Sequence, residues 1–391
     1  MRLETTTRSA PERRRFIGLV GGGAVLAAVP WASGCASGGA DGPAEPAAEE
    51  TDVRRFMLAH ALLAPNPHNR QPWLADLSRD SEIVLECDAG RLLPETDPFG
   101  RQIVVGCGAF VELAVIAAAE RGVRVAVQVF PNGEPAASEL PGGRVVARLV
   151  LSRDPSVARD PLFAQIQRRH TNKGAYDTGR DVPAAQWQRY ASGAQALGLM
   201  SGSVTDAARM ASVRAVTRAA YEIESVTPRT WLESARLLRI GPSEIAEHRD
   251  GIPVTSTMAR LVTALGLFDR YDVPVRGSSN YARVMDRWAP FETGSGYLWI
   301  ASRGNGRRAQ FDSGRAYVRS HLHATAEGVD MHPLSQALQE FAEVRAQHQE
   351  LHRLLGFEPE EATLQMLARV GYGTSAAAPS PRRGLAPLLK T

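Results

Sequence analysis

Two stretches of this chain, 206 residues apart, carry one pattern: a long helix closed by glycine and followed by an extended segment. Cys107-Gly108-Ala109-Phe110 through Arg121-Gly122-Val123 can be laid on Ser313-Gly314-Arg315-Ala316 through Glu327-Gly328-Val329. Gly108/Gly314, Ala118/Ala324, Gly122/Gly328 and Val123/Val329 are identical at that constant shift. Helix-Gly-Val is cheap to match, so the four identities by themselves leave both chance and internal duplication open. The length of 391 residues allows one large domain or two to three ordinary ones. Hydrophobic residues at 44% and charged ones at 22% are ordinary for a globular chain and exclude a disordered or fibrous one. A formal charge of +3, with basic residues scattered rather than striped, gives no counterion-release case for nucleic acid. Three cysteines exclude a disulfide scaffold and a zinc ribbon.

The first fifty residues read as an address. Arg13 and Arg14 precede Phe16 and a weak apolar run interrupted by Gly18, Gly21, Gly22, Gly23 and Pro30, a poor membrane-spanning helix. The segment resembles a twin-arginine export signal, 1–35, and Ala32-Ser33-Gly34-Cys35 is similar to a lipoprotein processing box. A lipid anchor at Cys35 and a plain signal cut near Ala36 both stay open. Residues 36–50 form an Ala/Gly/Glu/Pro-rich spacer. The expected location is therefore periplasmic or anchored at the envelope membrane. Cys87 and Cys107 lie in apolar strings and read as buried, unpaired core cysteines.

Along the mature chain, Asp52–Leu63 has helical spacing and Ala64-Pro65-Asn66-Pro67 breaks it. Strands are predicted at Glu82–Cys87, Val123–Phe130, Arg144–Leu151, Tyr297–Ser302 and Leu364–Gly371. Helices are predicted at Arg101–Arg121, Pro161–Arg169, Ala184–Leu197, Thr205–Glu224, Trp231–Ile240, Gln310–Glu327 and Leu334–Leu355. His348 and His352 share a helical face but lack the glutamate that zincins place directly after the first histidine, so a surface pair is expected and no metal site. Gly304-x-Gly306-x-x-Ala309 lacks a following mononucleotide-binding unit and reads as a turn.

Ala64-Pro65-Asn66-Pro67-His68-Asn69-Arg70-Gln71-Pro72-Trp73 resembles the Ala-Pro-Ser-x-x-Asn-x-Gln-Pro-Trp loop of the FMN-dependent nitroreductase family. Arg169-His170-Thr171-Asn172-Lys173-Gly174-Ala175-Tyr176 is similar to that family's Arg-x-Ser-x-Arg/Lys-x-Phe segment. Asp312–Gly328 with Pro333-Leu334-Ser335 resembles its central helix and following turn, and Arg369-Val370-Gly371-Tyr372-Gly373 with Arg382 and Arg383 its closing strand and basic C-terminus. The loop comes first here, whereas the family's usual order is the reverse. That order resembles the Acg-like subgroup, in which two halves are fused in one chain. The resemblance implies an α+β, nitroreductase-like fold with two related halves, 51–155 and 156–391, forming an intramolecular pseudo-dimer that is a monomer mimicking the family dimer. Residues 228–292 have no counterpart in the first half and are expected to insert as a lid. Only one half has the loop and only the other has the basic segment, which implies one FMN site built across the halves.

What the resemblance implies for that site is residue-specific. A phosphate dianion needs several fixed donors, which Arg169, Thr171, Arg382 or Arg383 would supply. Lys173 would stand by the pyrimidine edge of the flavin and raise its reduction potential. Pro65, Asn66, His68, Asn69 and Gln71 would contact the ring, the amides of Asn69 and Gln71 matching its donor/acceptor edge. Pro333 and Ser335 would approach N5/O4. No protein acid or base is required, because the flavin carries the chemistry. The implied reaction passes hydride from NAD(P)H to a nitroaromatic or quinone. A flavin-storing protein without catalysis, and an envelope structural protein without cofactor, are the alternatives. For Arg168, Arg169 and Lys173 the plain reading is a solvated helix end, and for the loop a proline-rich turn anchored by Trp73.

Overall fold

The computed structural model describes residues 50–266, 268–358 and 361–390. The twin-arginine pair, Cys35 and the spacer up to residue 49 lie outside the described residues. The first half contains α1 (Val53–Ala61), β1 (Trp73–Asp76), β2 (Glu82–Cys87), α2 (Arg101–Glu120), β3 (Val123–Val129) and β4 (Val145–Arg153). The second half opens with α3 (Ala184–Gln195) and β5 (Met200–Val204). An insertion follows: α4 (Ala207–Val226), α5 (Pro228–Arg236), β6 (Leu238–Ile240), α6 (Gly241–His248), β7 (Ile252–Val254), α7 (Thr257–Ala264) and α8 (Ser279–Asp286). The half resumes with β8 (Gly296–Ser302), α9 (Arg307–Ala326), β9 (Asp330–Pro333), α10 (Arg345–Leu354) and β10 (Thr363–Gly371).

Two four-stranded antiparallel sheets result, ordered β1-β2-β4-β3 and β5-β8-β10-β9. The order helix, edge strand, strand, long helix, strand, strand repeats in both, so the halves share one topology. The link between β1 and β2 spans 77–81, whereas its counterpart between β5 and β8 spans 205–295 and holds the whole insertion.

The long helices α2 and α9 pair at the centre, and their bounds differ by 206 at both ends. Both are 20 residues long and both end on a glycine in the left-handed region, Gly122 at φ 64° and Gly328 at φ 70°. A Cβ on Gly108 would lie 1.9 Å from Phe311 O, and one on Gly314 would lie 1.8 Å from Val105 O. Those contacts are reciprocal, since Val105 and Phe311 are also 206 residues apart. Only glycine lets the backbones meet this closely. The first helical residue of each crosses into the other half: Arg101 Nη1 donates to Gln365 O and Nη2 to Leu338 O, both 2.8 Å, and Arg307 Nη2 donates to Phe99, Ala137 and Glu139 carbonyls. Internal duplication is the reading these coincidences support, and chance no longer explains them.

Three predicted elements change. Pro161–Arg169 holds only a 3-10 turn at Pro161–Gln165. Trp231–Ile240 splits at Leu237 into the end of α5 and the strand β6. Leu334–Leu355 is helical only from Arg345, because β9 runs straight into 3-10 turns at Gln336–Leu338 and Ala342–Val344 whose residues pack into the core. Cys87 and Cys107 are buried and free. His352 is buried rather than on the surface: its Nδ1 lies 2.7 Å from His348 O and its Nε2 accepts from Leu364 N at 2.9 Å.

Two irregular segments lace the halves together. In the linker, Thr171 bridges Met331 in parallel and Tyr176 bridges Gly373. The C-terminal tail returns to the first half, where Leu389 bridges Ala75 and Lys390 N donates to Ala75 O at 2.9 Å. The tail thereby covers the edge strand β1.

Candidate functional site

The site begins where α1 ends. Asp52 caps the helix start, its carboxylate accepting from Arg54 N, and after Leu62 the chain turns through 64–73. Within that loop Asn66 Oδ1 accepts from Gln71 N at 2.7 Å and Asn66 Nδ2 donates to Ala64 O, closing the turn on itself. His68, Asn69 and Gln71 take φ values of 47°, 50° and 50°, a left-handed conformation that costs each a non-glycine residue's strain.

Two arginines from distant parts of the chain converge on the carbonyls beyond α1. Arg169 Nη2 donates to Leu63 O at 2.7 Å, and Arg382 Nε donates to Leu62 O at 2.6 Å. Arg382 also reaches Leu63 O, Ala64 O and Asn69 Oδ1. Both side chains are buried, and among the described residues neither has a carboxylate within ion-pairing distance. Burial pulls Arg169 down to about 10 and Arg382 to about 9, the latter also pushed by the charge of Arg169. Cations suit a helix C-terminus, but Arg169 is buried against the end of α1 rather than solvated at the end of its own helix, so the plain reading fails for it. It does not account for two adjacent buried charges, which are costly without an anion. Arg169 Nε is buried without a partner, and His170 and His321 beside it are held neutral by burial, His170 at about 4. His321 Nδ1 lies 3.4 Å from Arg169 Nη1 and its Nε2 lies 3.1 Å from His170 O.

A second group faces the same loop. His68 Nε2 is 4.0 Å from Glu224 Oε1, and Glu224 comes from the inserted helix α4. Burial lowers His68 to about 4, helped by the charges of Lys173 and Arg70, and raises Glu224 to about 7. Near neutrality this pair is therefore not ionic. His68 Nδ1, Glu224 Oε2 and Gln339 Oε1 are all buried without partners. Lys173 is exposed, yet enough protein surrounds it that desolvation lowers its ammonium, opposed by Glu224. Arg369 fixes the backbone on both sides of Lys173, donating to Asn172 O at 3.3 Å and Gly174 O at 2.6 Å while stacking on Tyr176. Pro333 ends β9, and Ser335 precedes the turn that carries Gln336 and leads to Gln339, both neighbours of Glu224.

The structure thus brings the start of the loop that carries Pro65, Asn66 and His68 against Arg169 and Arg382, with Lys173 near His68 and Glu224, while Pro333 and Ser335 lie at the end of β9 and the turn after it. Three expectations need correction. Gln71 is fully buried, its amide donating to Arg249 O (2.9 Å) and Asn69 O and accepting from Arg383 N, so it has nothing left for a ring. Asn69 spends its amide on Pro381 O and Arg382. Arg383 faces away from Arg382, as neighbours in a non-helical segment do; it sits with Arg91, Asp88, Asp250 and Arg70. Thr171 is held in its bridge to Met331, with no side-chain bond to the arginines. Glu224, His321 and Arg369 were not singled out as site residues from the sequence. Nothing local marks Glu224, whose place is set by an insertion.

Two cavities lie elsewhere, about 260 Å³ beside Arg345, His348 and His352, and about 610 Å³ along α3 and β5. Neither carries the surplus of buried cations found at the loop.

No family model matches the chain. Two proteins of Mycobacterium tuberculosis H37Rv, each named "Putative NAD(P)H nitroreductase", are similar to it. Rv3131 is 28% identical over 350 residues, covering 87% of this chain and 92% of that protein. The protein named acg is 38% identical over 82 residues, 21% of this chain and 24% of its own length. Among solved structures, the FMN-dependent nitroreductase NfnB from Mycobacterium smegmatis, in complex with NADPH, aligns at 17% identity and a TM-score of 0.37, covering 59% of this chain and 97% of its own. The similarity to Rv3131 therefore extends over most of the chain.

Proposed function

We propose that this chain, similar along most of its length to the mycobacterial protein Rv3131, holds FMN between its halves and acts as an NAD(P)H-dependent oxidoreductase. The observation that carries the reading is the pair of buried guanidiniums, Arg169 and Arg382, meeting at the 64–73 loop without a carboxylate. A phosphate fits that pair because it would supply the missing negative charge and take Arg169 Nε. Lys173, Glu224 and His68 would face the ring, and Asn69 and Gln71 serve it indirectly by anchoring Arg382 and the tail. FMN supplies two-electron hydride chemistry when bound; nitroaromatics or quinones are the acceptors we assign. The chain's own residues hold the phosphate, place a cation beside the ring and seal the loop with the insertion. The cell envelope is the proposed location, reached by the twin-arginine route through Arg13 and Arg14, with Cys35 as the residue for an anchor.

The test is direct. Protein purified from cells should be yellow, NAD(P)H should bleach it and a quinone should restore the colour. Bleaching by no donor would leave flavin storage as the function. Colourless protein that takes up no FMN would refute the site.

A further inference from the structure

Glu224 enters the site from α4, an element the first half lacks. Its carboxyl is buried, with Oε1 4.0 Å from His68 Nε2 and Oε2 without a hydrogen-bond partner. A buried carboxyl that is half unsatisfied, beside a lysine, is an unusual thing to retain unless its charge state does something. The groups facing it are few. His68 comes from the loop, Lys173 from the linker, Gln336 and Gln339 from the turn after β9, Glu233 from α5 and Tyr221 from its own helix. Of these, His68 is held neutral, Tyr221 donates its hydroxyl to Val284 O at 3.1 Å, and Glu233 is bound to the Glu95 and Thr96 amides. The charges of Glu233 and Lys173 act on Glu224 in opposite senses, and Glu224's own proton sets the balance.

We propose that Glu224 is a proton-uptake residue that sets the charge presented to the flavin ring, that charge being one unit more positive with its proton on than with it off. The inference rests on the FMN reading above. Two-electron reduction places negative charge on the ring's N1/O2 edge, and a negative charge near a titrating carboxyl favours the carboxyl's protonated form. Reduction of the bound flavin therefore draws one further proton from solvent onto Glu224 wherever Glu224 begins ionised. Two electrons come from NAD(P)H, the ring receives them as hydride, and the extra proton comes from water and stays on the carboxyl. Glu224 acts on the ring through charge and through Lys173, as a positioning residue rather than a reacting one.

The experiment is the midpoint potential of the flavin in the full-length holoprotein, titrated across pH, for wild type, Glu224→Gln and Glu224→Asp. Above neutral pH the wild type should take up one proton more per two electrons than Glu224→Gln. That difference steepens its profile by ~30 mV per pH unit, the tenfold conversion for a two-electron couple. Glu224→Asp, which can still titrate, should restore the wild-type count. Equal slopes in wild type and Glu224→Gln, both with flavin bound, would overturn this proposal and leave the FMN reading standing. Wild-type protein that binds no flavin would overturn both. If Glu224→Gln alone loses flavin, the comparison passes to Glu224→Asp, whose slope must then match the wild type; a slope shallower by one proton overturns the proposal.

Discussion

Replacing Gly314 with alanine tests whether the two long helices truly meet backbone to backbone. The added methyl would lie 1.8 Å from Val105 O and 2.9 Å from Ala109 N, against at least 3.4 Å for ordinary contact. The helices would have to part by about 1.5 Å, and the obstacle is a carbonyl, which cannot swing aside as a side chain can. Alanine gains roughly 1 kcal/mol in helix propensity over glycine. Overpacking typically costs about 1–3 kcal/mol and more where backbone must move, and here two 20-residue helices must move together. The expected net loss is at least ~2 kcal/mol, a drop of about 4 °C or more in Tm at the ~2 °C per kcal/mol of larger domains. Gly108→Ala should behave alike, since its methyl would meet Phe311 O at 1.9 Å. One separation relieves both clashes, so the double variant should cost clearly less than the two singles together. Thermal and urea unfolding of the three variants decide the matter. A single variant as stable as the wild type, or strictly additive losses, would refute the reciprocal contact.

Other consequences are equally open to measurement. Arg382→Met should reduce FMN affinity at least tenfold by fluorescence titration, whereas Arg383→Met, facing Arg91 and Asp250, should change it less than threefold. The folded-state carboxyl of Glu224 is raised from 4.5 to about 7, so it keeps its proton while the unfolded chain loses one. Stability from this group is full below about 4.5 and is lost as pH rises through 7; Glu224→Gln should gain on the wild type across that window by on the order of 3 kcal/mol, read by urea unfolding at each pH. Asp250 accepts from Arg239 Nη2 at 2.7 Å and Arg91 Nη1 at 2.8 Å, joining the insertion to the first half. Asp250→Asn should loosen that join by about 3–5 kcal/mol, the cost of stranding one side of a buried pair, and trypsin should then cut in 249–287 first.

The duplicated helices were legible because each depends on local signals: an apolar face, a closing glycine, and a repeat at fixed distance. Glu82–Cys87 was found at its observed ends for the same reason. Leu334–Leu355 misled because Leu334, Ala337, Leu338 and Phe341 are core residues in or beside 3-10 turns, and their spacing imitates a helix. β1 and β5 escaped notice; each is short and defined by its partner strand rather than by its own pattern. At the site, the convergence of Arg169 and Arg382 on the loop was legible from motifs. The fate of the Asn69 and Gln71 amides was not, since their partners lie 312 and 178 residues away in the tail and insertion.

The returning tail has a bearing on biosynthesis. Arg382 docks on carbonyls at 62–64 that left the ribosome some three hundred residues earlier. No nascent or truncated product lacking Arg382 can assemble the arginine pair. Possession of the arginine pair therefore shows that synthesis has passed Arg382, and a chain released before it would lack the second guanidinium.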